Sequence, residues 1–115
     1  MFVELHGERD LAALLERSQT EPVVVFKHST QCSRSADAHY EVEAFMSNHP
    51  EICCGLVLVI EDRLLSDSIE ERFGILHESP QAFLFSGGSV IWHAHHRQVT
   101  AVALEEALGN QRVQA

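Results

Sequence analysis

Positive charge is scarce in this chain. Lys and Arg together number 8 against 17 Asp and Glu, a formal net charge of −9 over 115 residues. A nucleic-acid binder needs a basic face, and so does a protein that docks on an anionic membrane, so neither partner fits. Long apolar runs are also missing. The longest, Leu56 to Ile60, is far short of the ~20 residues needed to span a bilayer. The opening Met1-Phe2-Val3-Glu4-Leu5-His6 lacks the basic and apolar regions of a signal peptide. Cysteines number 3; an odd count argues against a disulfide scaffold and for a reducing, cytoplasmic setting. With no repeat, low-complexity tract or linker, residues 1–115 are expected to form a single domain, large enough to bury a core without staples.

What is present is an alternation of strand-like and helix-like segments. Phe2 to Leu5 reads as a short strand. Asp10 is a candidate helix N-cap before Leu11, Leu14 and Leu15 on one stripe. Val23-Val24-Val25-Phe26 reads as a buried strand, followed by a helix from about Ser33 to Ser47 with Ala38, Val42, Phe45 and Met46 at helical spacing. Ile52 to Ile60 is a continuous, branched apolar run, the mark of a central strand covered on both faces. Asp62 precedes a helix carrying Leu65, Ile69 and Phe73 and closed by Gly74. Ala82-Phe83-Leu84-Phe85, the turn Gly87-Gly88 and Val90-Ile91-Trp92 form a hairpin. Thr100 can cap a last helix ending at Gly109. The order β-α-β-α-β-α-β-β-α predicts an α/β fold with a mixed sheet of about five strands flanked by helices, a thioredoxin-like architecture. That fold keeps a cis peptide beside its redox cysteine at the entry to the first hairpin strand, where this chain has Ser79-Pro80.

The stretch from Phe26 to Ser35 carries the chemistry. A strand breaks into a polar loop, then one cysteine, Cys32, which is expected on the first turn of the helix that follows. Unpaired N–H groups and the helix dipole at such a junction favour thiolate, the nucleophilic form. Lys27, His28 and Arg34 are cationic or potentially cationic neighbours that would favour it further. Ser35 stands where a Cys-x-x-Cys motif carries its second sulfur, so the motif is Cys-x-x-Ser.

Three segments resemble the monothiol bacilliredoxins: Phe26-Lys27-His28-Ser29-Thr30-Gln31-Cys32; His77-Glu78-Ser79-Pro80-Gln81; and Trp92-His93-Ala94 with His96 and Thr100. The resemblance implies removal of bacillithiol, or a similar low-molecular-weight thiol, from mixed disulfides on client proteins. Cys32 would be the nucleophile, and His28, Arg34, Ser35, Ser79 and Pro80 the substrate-binding residues. No metal and no dissociable cofactor are implied; the small thiol is a co-substrate, and another redoxin or reductase can regenerate the enzyme. The chain departs from the family at Ser33-Arg34-Ser35, where Pro-Ile-Ser is usual, and at His95, where serine is usual.

Other candidates have plainer readings. Cys53-Cys54 begins the next strand, at the sheet end opposite Cys32, and reads as core packing. His93 and His95 fall on one strand face, a possible metal pair, but no third ligand is identifiable. His28 can hold the thiolate or be a solvated loop residue. Trp92 and Tyr40 can line a groove, though packing is favoured. Two functional alternatives remain at this stage. One-thiol redoxins can hold an iron–sulfur cluster between two subunits, and an inactive thioredoxin-like interaction module would need no reactive thiol.

Overall fold

The computed structural model describes residues 1–114. Its elements follow the sequence pattern: β1 (Val3–Glu4), α1 (Glu8–Arg17), β2 (Val23–His28), α2 (Ser33–Asn48), β3 (Cys53–Leu58), α3 (Arg63–Phe73), β4 (Gln81–Ser86), β5 (Ser89–His95), a 3-10 turn (His96–Gln98) and α4 (Ala101–Gln114). The strands form one sheet in the order β1-β3-β2-β4-β5. β1 and β2 run parallel to β3, whereas β4 is antiparallel to β2 and β5 to β4.

The central strand is therefore β2, not β3 as the apolar run suggested. All six residues of β2 are buried, whereas Leu56 and Leu58 of β3 are only partly so. Alternation along β2 sends Val24 and Phe26 to one face, against Val42 and Phe45 of α2 and Leu104 and Leu108 of α4. Val23 and Val25 go to the other, against Leu11, Leu14 and Leu15 of α1 and Leu65 and Ile69 of α3. Two helices on each face make three layers, with each buried Leu, Ile, Val or Phe contributing ~2 kcal/mol. α1 approaches β3 closely because Gly55 has no Cβ; one built there would lie 2.7 Å from side-chain atoms of Leu14 and Leu5. Gly87 and Gly88, with φ of 60° and 80°, form the hairpin turn, a conformation with positive φ at both positions that glycine adopts without strain.

Four expectations need correction. The N-cap of α1 is Gly7; Asp10 lies inside the first turn, and its carboxylate reaches back to accept the His6 N–H at 2.8 Å. α4 runs through Gly109, because Arg112 bonds Glu21 and Glu51 at 3.0 Å each and Gln111 reaches Ser86, tying the last turns to the body. Tyr40 is 71% exposed and packs in no core, because the inward stripe of α2 is Ala38, Val42 and Phe45. Cys32 is the N-cap of α2 rather than part of its first turn.

No helix among the described residues is long and apolar enough to cross a membrane.

Candidate active site

Cys32 stands at the carboxyl end of β2, half-buried and in extended conformation. Its carbonyl accepts the Ala36 N–H at 3.1 Å, the first bond of α2. The next N–H groups, those of the first helical turn, have no partner within the helix and lie beside the thiol-bearing residue.

Ser35 is the buried hub beneath it. Its Oγ lies 2.7 Å from His28 Nδ1 and accepts the Ser29 N–H at 2.9 Å. Burial, and secondarily the neighbouring His39, hold the His28 pKa below its usual 6.5. A neutral imidazole can accept at Nδ1, so the arrangement that satisfies every group has Ser35 O–H donating to His28. His28 is thus not a solvated loop residue: it is the last residue of β2, buried, and it holds Ser35, which holds the start of the loop that leads to Cys32. The Ser35 position was legible from the Cys-x-x-Ser spacing. Its pairing with His28 had only a weak signal, a polar residue on the same strand face as Val24 and Phe26.

Lys27 is not a neighbour of the thiol. Alternation turns it to the other sheet face, where it is fully buried. Its Nζ donates to the Ser66 carbonyl at 2.9 Å and lies 3.1 Å from His77 Nδ1. Burial lowers its pKa to about 8. Arg34 is exposed and lines a cleft of about 260 Å³ between α2 and the 3-10 turn.

The second half of the site is the loop before β4. The Ser79-Pro80 peptide is cis. Pairing of Lys27 with Gln81 brings this loop to the same end of the sheet as His28. The loop is fastened on several sides. Gln81, a residue the sequence did not single out, uses its side chain to accept the Glu78 N–H and to donate to the Leu76 carbonyl. The His77 N–H goes to Glu70, and the Pro80 carbonyl accepts the His96 N–H at 2.9 Å. Ser79 Oγ is buried and finds no partner among the described residues.

The remaining candidates fall elsewhere. Cys53 pairs with Val23 and Leu58 with His28, so the cysteine pair lies five residues from the Cys32 end, ~17 Å along the strand. Cys54 is wholly buried in the α2/α4 core, and burial pushes its thiol up to about 12. Trp92 packs partly against the same core. His95 and His96 approach at 3.1 Å. His93 is exposed, 6.4 Å from the Phe83 ring. Among the described residues no three His, Cys, Asp or Glu side chains gather as a metal site requires.

Known proteins share this fold. A thioredoxin-fold protein provisionally assigned as an oxidoreductase superposes with a TM-score of 0.84 at 30% identity, covering 91% of each chain. The thioredoxin of Fasciola hepatica superposes at 0.76 with 17% identity over 96% of this chain and 98% of its own. That of Trypanosoma brucei brucei does so at 0.77 with 12% identity over 100% and 93%. At such identities these two speak for the fold alone. The family model of monothiol bacilliredoxin BrxC matches residues 3–104, a span that holds Cys32, Ser35 and the Ser79-Pro80 loop together, and the chain belongs to that family.

Proposed function

We propose that this protein is a one-thiol thiol–disulfide exchange enzyme that removes bacillithiol, or a similar small thiol, from mixed disulfides on client proteins, with Cys32 as nucleophile. Family membership and the thioredoxin-fold relative support thiol redox chemistry. The observation that carries the one-thiol reading is Ser35: a hydroxyl at the second motif position, buried and committed to His28 and the Ser29 N–H. It cannot close a disulfide with Cys32, so the captured small thiol stays until another molecule removes it.

In the proposed step the Cys32 thiolate attacks the small-thiol sulfur. The Cys32–S bond forms as the bond to the client sulfur breaks, and the client leaves as thiolate and takes a proton from water. The first-turn N–H groups of α2 face the negative charge spread over the sulfurs. The Ser79 backbone, beside a proline that has no N–H, would meet the client as a short strand. A second small thiol, or another redoxin, then attacks the Cys32 mixed disulfide and restores the thiol.

The test is a client carrying a bacillithiol mixed disulfide, followed by intact mass. Parent and Cys54→Ser should release the client and accumulate the adduct on Cys32, and Cys32→Ser should do neither. Release by Cys32→Ser would remove the site. A coloured, dimeric protein that needs Cys32 for its colour would favour cluster carriage instead.

A further inference from the structure

The cleft beside Arg34 has an unusual charge inventory for so acidic a protein. Its walls are Arg34, Asp37, Ala38 and Glu41 of α2, and His96, Arg97, Val99 and Thr100 beyond β5. Glu41 is committed, since its carboxylate accepts the Ala101 N–H at 2.9 Å at the start of α4. His96 lies 3.5 Å from Glu78. Arg34, Arg97 and Asp37 make no ion pair among the described residues, and all three are exposed. Two unpaired guanidiniums and one unpaired carboxylate thus share one concave surface. Arg34 is two residues from Cys32, so their Cα atoms are no more than ~7.6 Å apart. The far wall is tied to the Ser79-Pro80 loop by the bond from the His96 N–H to the Pro80 carbonyl.

We infer that this cleft holds the head of the small thiol, and that the head is zwitterionic: a carboxylate between Arg34 and Arg97 and an ammonium at Asp37. This rests on the exchange reading above and adds a substrate class to it. Guanidinium forks match carboxylate geometry, which a single ammonium would not. About 260 Å³ suits a group of amino-acid size rather than a folded client. The reaction is unchanged: Cys32 Sγ attacks the small-thiol sulfur, the new S–S bond replaces the old, and the displaced thiolate is protonated.

The test compares rates of Cys32 mixed-disulfide formation with four reagents: cystine (zwitterionic), dithiodipropionate (anionic), cystamine (cationic) and hydroxyethyl disulfide (neutral). In the parent, cystine should exceed the other three once intrinsic thiol reactivity is divided out. In an Arg34→Ala/Arg97→Ala double variant the cystine to hydroxyethyl disulfide ratio should fall roughly tenfold, the sum of two exposed ion pairs. In Asp37→Asn the cystine to dithiodipropionate ratio should fall roughly threefold. Exposed positions such as these should leave folding intact. Unchanged ratios with normal exchange would overturn the cleft assignment alone. No Cys32 adduct with any reagent, the neutral one included, would overturn the exchange reading and the cleft with it.

Discussion

Two polar clusters sit back to back at the carboxyl end of β2, one on each face of the sheet. On the α2 face, His28 holds Ser35, and Ser35 holds the Ser29 N–H. On the α3 face, Lys27 reaches the Ser66 carbonyl and His77. Consecutive residues of one strand thus serve the two halves of the candidate site. His28 fixes the loop that leads to the thiol, and Lys27 fixes the loop that carries Ser79-Pro80. They differ in what burial does to them. A neutral imidazole is comfortable in a hydrogen-bonded pocket, whereas an ammonium there loses hydration that two acceptors only partly replace.

The largest expected effect is on the Lys27 side. Lys27→Ala removes a fully buried stem and should cost ~3 kcal/mol. Lys27→Met keeps the stem, loses the buried charge and should recover most of that. Denaturant titration of the three proteins decides; a Met variant as weak as the Ala variant would mean that the ammonium bonds, not the stem, hold the loop. The pH dependence sharpens this. The Lys27 pKa is lowered from 10.5 to about 8, so between these values the unfolded chain binds more protons and this group's contribution to stability rises with pH. Cys54 acts oppositely: its pKa is raised from 9.0 to about 12, so its contribution is lost as pH climbs through that window. Cys54 is common to parent and Lys27→Met, so the difference between them isolates Lys27. Parent stability should gain on the variant from pH 8 to 10.5.

The His28 side should show smaller effects at lower pH. Ser35→Ala strands a buried imidazole nitrogen and the Ser29 N–H, a cost of ~1–3 kcal/mol. Ser35→Cys is more informative. Positions i and i+3 at a helix start are neighbours, so the variant should form a disulfide with Cys32, seen as a two-hydrogen mass loss. A variant that never closes that bond would separate the thiol from position 35. Because the His28 pKa lies below 6.5 in the fold, protonation opposes folding, and stability present above 6.5 should fall as pH drops below it. His28→Gln should flatten that acid limb, as read by thermal unfolding between pH 4 and 7.

These two residues also show how far sequence pattern carries. Element order and the placement of Cys32 at a helix start, to within one position, were legible because they rest on local chemistry: apolar period, turn residues and helix starts. The cis Ser79-Pro80 peptide was expected only from the fold that this order implied. Lys27 misled because the apolar run ends at Phe26, which put Lys27 in the loop as a neighbour of the thiol, whereas β2 continues two residues further and alternation turns Lys27 to the other face. β3 was read as central because an apolar run reports two covered faces, not the number of neighbouring strands. Gln81 closed one of the resembling segments, but its fastening role carried no signal, since that role depends on where Leu76 and Glu78 fall after the chain folds. α4 passes Gly109 because contacts from Arg112, distant in sequence, outweigh a glycine's helix cost of ~1 kcal/mol.

The smallest effect is expected from Ser79, another serine at the same end of the sheet. Ser35 and Ser79 both bury a hydroxyl, but Ser35 Oγ has two partners and Ser79 Oγ has none among the described residues. Removing a bonded hydroxyl leaves its partners stranded; removing an unbonded one releases a desolvation cost already present. The same Ser→Ala change should therefore have opposite signs. Ser79→Ala should be neutral or stabilising by up to ~1 kcal/mol, where Ser35→Ala is destabilising. Urea midpoints measured side by side give the comparison directly. If Ser79→Ala instead proves as costly as Ser35→Ala, the Ser79 hydroxyl has a partner in solution, a bridging water being the simplest, and the loop is held by one more bond than its backbone contacts account for.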